Sequence, residues 1–330
     1  MTAETTDDAR RIHEFAQRVH DASAETIPEL LSEYYHDDAT FHGPAPLGEM
    51  VGPDDIAAGY WEPLLASFPD LERNDYALFG GEFDGDRWVA ATGTLVGTFE
   101  TDWLDVPATG HATWLRYGEF HRVEDGRIAE TRSFLDVLDL LRQAGYEFVP
   151  ALAPEVVIPG PSTQDGVLPE DGGSAETLEL VEDMIFEGLE SFEEVGLDGM
   201  GLDEYWHEDF MWYGPAGIGT TRGIDGFQEF HQGPFLEAFP DRLSGGDDVR
   251  IAQGDYCAWH GWPSLEATHT GDGWLGLPAT GESVTMRVMD VWRREGDLLA
   301  ENWVFIDMID LLQQLGVDVF QRVRDDKQHF

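Results

Sequence analysis

Lysine is all but absent from this 330-residue chain: Lys327 is the only one, and 19 basic residues stand against 66 acidic ones, for a net charge of −47. A surface of that sign repels phosphate backbones and anionic lipid, which argues against nucleic acid and membrane surfaces as partners. Cysteine is nearly missing too. The lone Cys257 can neither close an intramolecular disulfide nor build a cysteine-type zinc site. No apolar run approaches the roughly 18 to 20 residues that cross a bilayer. The opening MTAETTDDAR has neither the basic nor the apolar region of an export signal. A cytoplasmic protein is the expectation. The acids are spread along the chain rather than massed in a tail, and in molar salt, where the Debye length falls to about 3 Å, their repulsion is largely screened. The composition therefore predicts a salt-filled cytoplasm.

What is present is 42% hydrophobic residues with 12% aromatics, enough for packed cores, and a repeat. RSFLDVLDLLRQAG (132–145) returns as WVFIDMIDLLQQLG (303–316), 171 residues on. At that offset His36 falls on His207, Gly43-Pro44 on Gly214-Pro215, Phe68-Pro69-Asp70 on Phe239-Pro240-Asp241, Trp103 on Trp274 and Asp136 on Asp307. Chance does not sustain such a register; the chain is a tandem duplication. The copies span residues 7–149 and 174–322, and the Pro-, Gly- and acid-rich stretch 150–173 reads as an extended linker.

Each copy has the same order of elements. Ile12, Phe15, Ala16 and Val19, and in the second copy Leu180, Met184, Leu189 and Phe192, recur at helical spacing. A short helix (27–35) leads into an aromatic stretch that ends at Gly-Pro, and a third helix opens at Pro53-Asp54-Asp55. Four strand-like runs follow (74–83, 87–101, 112–123 and 127–135), with turn signals at Asp84-Gly85 and Asp125-Gly126. A helix beginning near Asp136 closes the copy. Helices followed by a meander predict an α+β fold with helices on one face of an antiparallel sheet.

These features resemble the SnoaL-like polyketide cyclase/ester cyclase group of the NTF2-like superfamily. The residues that carry the likeness are the Gly-Pro after the aromatic strand, SFPD and AFPD, the DGRI hairpin and the closing D-x-x-x-L-L-x-Q-x-G, which together cover most of each copy. The resemblance implies two cone-shaped domains, each a curved antiparallel sheet around an apolar pocket with N-terminal helices packed on it. It also implies an intrachain pseudo-dimer, hence a monomer. It implies a small hydrophobic carbonyl or ester ligand and aldol-type acid–base chemistry without metal or cofactor. The family's working aspartate would fall three positions before Asp136, where this chain has Ser133 and, in the second copy, Val304. Its partner histidine falls on Glu119 and Asp290. Loss of the aspartate leaves a second reading, a non-catalytic small-molecule binding or scaffold module of the same superfamily.

The candidate acids and bases are Glu119 and Asp290 on the third strand and Asp136 and Asp307 at the start of the last helix. A strand carboxylate set among Trp114, Phe120 and Trp292 would be desolvated and its pKa raised; the alternative for Asp136 and Asp307 is an N-cap. Glu130 and Glu301 read as surface acids, and His36 and His207 as groups at a helix end. His42 and its counterpart Tyr213 are expected at the pocket wall. His260 and Trp262, two apart on a strand, share a face. With Trp212 and Trp303 they make up the expected substrate-binding set. An epoxide-hydrolysing site would need an arginine between two carboxylates. Arg116 and Glu119, like Arg287 and Asp290, are three apart on a strand, so the spacing predicts the arrangement in neither copy.

The charge generates a test. Unfolding temperature should rise widely between about 0.1 M and multimolar KCl as screening removes self-repulsion. Equal midpoints would contradict the adaptation to salt.

Overall fold

The computed structural model describes residues 2–154, 158–189, 200–246 and 248–327, with backbone alone at 326 and 327. In the first copy α1 (Ala3–His20) starts at Thr2, whose hydroxyl accepts from the Thr5 amide at 3.3 Å. Its buried stripe includes Ile12, Phe15, Ala16 and Val19, as the periodicity predicts. Then come α2 (Ile27–Tyr34), β1 (Tyr35–His42), β2 (Glu49–Val51), α3 (Pro53–Ile56) and α4 (Glu62–Ser67). The meander is β3 (Glu72–Phe83), β4 (Asp86–Thr98), β5 (Ala112–Glu124) and β6 (Arg127–Leu135), closed by α5 (Val137–Gln143). The third helix differs from expectation in one respect: residues Ala57–Trp61 form a π-turn between α3 and α4. Pro63 has no amide hydrogen to return to the preceding turn, and the wider turn absorbs that break.

The second copy repeats this plan. It contains α6 (Ser174–Asp183) running into a π-turn (Met184–Gly188), β7 (Trp206–Tyr213), β8 (Thr220–Arg222) and α7 (Gly223–Phe227). A π-turn (Gln228–Gln232) precedes α8 (Gly233–Ala238), again just before a proline, Pro234. The strands are β9 (Leu243–Ser244), β10 (Asp248–Gln253), β11 (Tyr256–Thr268), β12 (Ser283–Glu295) and β13 (Leu298–Ile306), followed by α9 (Met308–Gln314) and α10 (Val319–Lys327). Leu180 and Leu189 fall in this helical region and Met184 is buried there; Phe192 lies outside the described residues.

The strand orders are β2-β1-β6-β5-β4-β3 and β10-β11-β12-β13-β7-β8, with β9 beside β11. Both sheets are mixed. Every pairing is antiparallel except β1 with β6 and β7 with β13, which are parallel because the first strand of each copy returns beside the last. Helix α1 covers the face that carries Leu78, Gly80 and Val89. At Gly80 a β-carbon would stand 2.6 Å from the Thr5 carbonyl oxygen, so only glycine lets the helix lie this close.

The chain divides into two compact units: Thr2–Phe148 together with Asp307–Phe330, and Val149–Ile306. The closing helices of the second copy thus belong to the first unit by compactness, although they belong to the second copy by sequence. The linker is no loose tether. The Leu152 and Ala153 amides donate to the Gly217 and Ile218 carbonyls at 3.1 and 2.8 Å. The Trp303 indole donates to the Pro159 carbonyl at 2.8 Å, and the Tyr256 hydroxyl to Asp165 at 2.6 Å. Its free carbonyls satisfy buried donors that the sheet cannot satisfy itself. Among the described residues no helix is long and apolar enough to cross a membrane.

Asp136 and Asp307 are the N-caps of α5 and α9, accepting from the Asp139 and Asp310 amides at 3.1 and 3.2 Å. Asp307 also accepts from the Ala45 amide at 3.0 Å. Replacing Asp307 with Ala should cost about 1 kcal/mol or more in denaturant unfolding, and Asn should recover most of it; an unchanged Ala variant would show that the cap is idle.

Candidate functional site

Pleating puts alternate strand residues on opposite faces, and the pairing register decides which meet. On the helix-covered face of the first copy, Glu119 stands opposite Ala91 on β4 and Ser133 on β6; Tyr117 pairs with Gly93, and His121 with Thr131. The sequence missed the residue that governs this row. Arg73, on β3, lies diagonally across the two small residues Ala91 and Gly93. Its Nη1 is 2.9 Å from Glu119 and its Nε 3.0 Å from Asp75. Its guanidinium also stacks over the Tyr117 ring at 4.3 Å, and the Tyr117 hydroxyl donates to Asp75. His121 Nε2 lies 3.4 Å from Glu119, and its Nδ1 meets the Thr131 hydroxyl at 2.9 Å.

An arginine between two carboxylates is therefore present in the first copy, against the expectation drawn from spacing. Arg116 faces away from Glu119, as its spacing predicts, and toward Asp136 at 3.5 Å. The spacing Arg73-x-Asp75 puts both on one strand face and was the available signal. Burial raises the Glu119 carboxyl, but the Arg73 charge and His121 outweigh it and hold the pKa at about 2. Glu119 is 2% exposed, and this interior is filled by its own ion network.

Among the described residues the second copy lacks this network around its matching carboxylate. Asp290 pairs with Trp259 and Val304. In register terms Trp259 replaces Ala91 and Ser244, opposite Leu265, replaces Arg73. The 171-residue offset already sets Ser244 on Arg73, but it sets Trp262 on Ala91 and so hides Trp259, because β11 carries a local register shift. The nearest guanidinium in the row, Arg250, stacks on Trp259 at 4.8 Å and pairs with Glu182. Asp290 is left with one hydrogen bond, from Asn302 Nδ2 at 3.2 Å. Burial raises its pKa from 3.8 to about 7, with Asn302 opposing only weakly. Asp290 as a residue is intermediate in exposure, while its carboxyl group is buried.

The candidate residues sort by face. Trp212 shares the row of Asn302 on the Asp290 face, as does Trp292, the Cα partner of Asn302. Tyr213 and Trp303 pair with each other in register on the opposite face, and His260 pairs there with Met289. Trp262 lies over the Arg287 guanidinium at 4.6 Å on that far side. His42 is also on the far face of its sheet, 3.6 Å from both Glu49 and Glu130. Trp114 is 46% exposed and Phe120 points away from Glu119, so neither desolvates it. Glu301 is not a surface acid: it is buried against Arg293, the Tyr213 hydroxyl and Ser162. Glu130, part-buried, pairs with Arg132 and Arg122. His36 and His207 lie in strands rather than at helix ends, each bonded at 2.9 Å to a hairpin carbonyl, Glu124 or Glu295. An open cleft of about 570 Å³ in the second unit is lined by Asp203, Glu208, Asp209, Arg222 and Asp225 and contains none of the candidates.

Two α+β units with carboxylates on the helix-covered face of a curved sheet define a tandem protein of NTF2-like build. A family model for SnoaL-like polyketide cyclases matches residues 13–144 and again 190–315, so the chain belongs to that family. Among solved structures, the chain is similar to a candidate SnoaL-like polyketide cyclase from Jannaschia sp. CCS1. The identity is 18% over 44% of this chain and 97% of that one, with a TM-score of 0.39. A phenazine biosynthesis-related protein from Pseudomonas aeruginosa is 19% identical over 47% and 98%, TM-score 0.34. TsrD from Streptomyces laurentii is 23% identical over 41% and 96%, TM-score 0.34. No curated protein matches the chain.

Removing Arg73 should leave two buried carboxylates uncompensated. Arg73→Gln should destabilise the fold by about 3–5 kcal/mol at neutral pH. The loss should shrink on acidification, because protonation then neutralises the carboxyls. Adding Glu119→Gln should recover part of it in a double-mutant cycle; additive losses would refute the pairing.

Proposed function

We propose that the second copy is the reacting site of a cofactor-independent enzyme acting on a small, flat, hydrophobic carbonyl compound, with Asp290 as general base. The observation that carries this is a buried carboxyl at about 7, with no cation beside it among the described residues, on a face shared with Trp212, Trp259 and Trp292. A base is most effective when its pKa lies near the working pH. Shifting an aspartate from 3.8 to about 7 disfavours its ionised form by on the order of 4 kcal/mol. That same energy makes the carboxylate more basic toward a C–H bond beside a carbonyl. In the step, Asp290 takes the proton, the C–H electron pair moves into the carbonyl to give an enolate, and the enolate carbon attacks a second carbonyl in an aldol closure. Asp290 then returns its proton to the new alkoxide. The aromatic walls hold the ligand folded.

Glu119 suits this role poorly. Held at about 2 by Arg73, it stays ionised but has little affinity for a proton. We assign the first copy a supporting part. Ser133 and Val304, at the positions of the family's aspartate, supply no acid in either copy, so the chemistry rests on Asp290 alone.

The test needs no knowledge of the natural substrate. Exchange of the methyl protons of 2-acetylnaphthalene in D2O, followed by NMR, reports proton abstraction directly. Its rate should rise with pH and level off above about 7, because only ionised Asp290 is a base. Asp290→Asn should slow it by about 10²–10⁴-fold. Binding without exchange, or an active Asn variant, would favour the non-catalytic binding module instead.

A further inference from the structure

A base next to a carbonyl needs a partner, because the enolate oxygen must be stabilised where the charge develops. Asn302 is occupied with Asp290. The geometry points to His231 as the neutral hydrogen-bond donor that polarises the substrate carbonyl opposite Asp290. This assignment rests on the proton-transfer reading of the second copy.

His231 is the fourth residue of the π-turn Gln228–Gln232, a type of turn that recurs at functional sites. Its ring stacks on the Trp212 indole, centroids 4.0 Å apart and 19° from parallel, and is flanked by Phe227 at 5.3 Å and Phe235 at 5.7 Å. Trp212 in turn pairs in register with Asn302, whose amide reaches Asp290. Trp212 and Asp290 thus stand on one face with β13 between their strands, about 10 Å apart at the backbone, and His231 meets that face from the turn through its stack on Trp212. Within the stack, Nδ1 is buried and has no hydrogen-bond partner. A buried polar atom without a partner destabilises the fold unless something arrives to meet it.

The first copy supports the assignment independently. At the same position of its own π-turn, Tyr60 is fully buried and its hydroxyl likewise lacks a partner. Each copy therefore aims a polar side chain from this turn into its interior. The imidazole has a property suited to the task. Burial among aromatic rings lowers its pKa to about 3, so it is uncharged at working pH. A neutral imidazole always retains one N–H, and it neither pairs with the Asp290 carboxylate nor lowers its basicity.

The experiment uses the full chain and carbonyl-labelled 2-acetylnaphthalene. His231→Phe keeps the stack and removes the N–H; His231→Asn restores a donor. Bound to the wild type and to the Asn variant, the probe should show its C=O stretch at lower frequency than in an apolar solvent. In the Phe variant that displacement should vanish while the Kd changes less than about threefold. Proton exchange in the Phe variant should fall by about 10²–10³-fold, its pH midpoint still near 7. A Phe variant with the wild-type C=O frequency overturns the assignment, whether or not the probe exchanges. If Asp290→Asn abolishes exchange but His231→Phe does not, this inference fails and the proton-transfer reading stands. If the C=O displacement depends on His231 but Asp290→Asn exchanges normally, the reverse holds.

Discussion

The guanidinium of Arg73, present in one copy and replaced in the other, sets the charge state of the two matched carboxylates. Where it is present, two buried carboxylates share one positive charge, Glu119 is held at about 2, and the interior closes around the network. Where Ser244 and Trp259 stand instead, Asp290 is left to a single amide and rises to about 7. The two carboxylates occupy the same place in the same fold. Their opposite shifts come from whether a cation or an indole fills the space beside them, which is the competition between Coulombic attraction and desolvation.

A duplication makes such divergence tolerable. A buried ion network stabilises one orientation of its members and penalises loss of any one, while contributing little net energy over an apolar core of the same volume. An unpaired carboxyl costs stability but gains reactivity. Holding both in a single chain lets one copy keep the ion network while the other keeps a buried carboxyl among tryptophans.

The far face of the second sheet shows the same economy with different partners. Glu301, Arg293, Tyr213 and Trp303 form a polar row there, and the linker segment from Pro159 to Asp165 covers it with carbonyls and hydroxyls. A stretch rich in proline and glycine forms no element of its own, yet its unpaired backbone groups suit it to satisfying someone else's. Composition alone reads such a segment as a tether, because it reports what the segment cannot bury and not what it can bond.

By itself the sequence determined the duplication, the order of elements and the helix-covered sheet, because those follow from periodicity; for Asp136 and Asp307 it offered acid–base chemistry with an N-cap as the alternative, and the local hydrogen bonds show the caps. It also singled out Glu119 and Asp290, by position. Only the tertiary structure decided their characters. Arg73 is 46 residues from Glu119, and they meet because β4 sets their two strands one strand apart. The far-face placement of His42, Tyr213, His260 and Trp303 was hidden for a related reason. A strand's period shows which residues share a face, but which face meets the helices is fixed by register, and for His260 a local shift in β11 moved that register where the repeat looked constant.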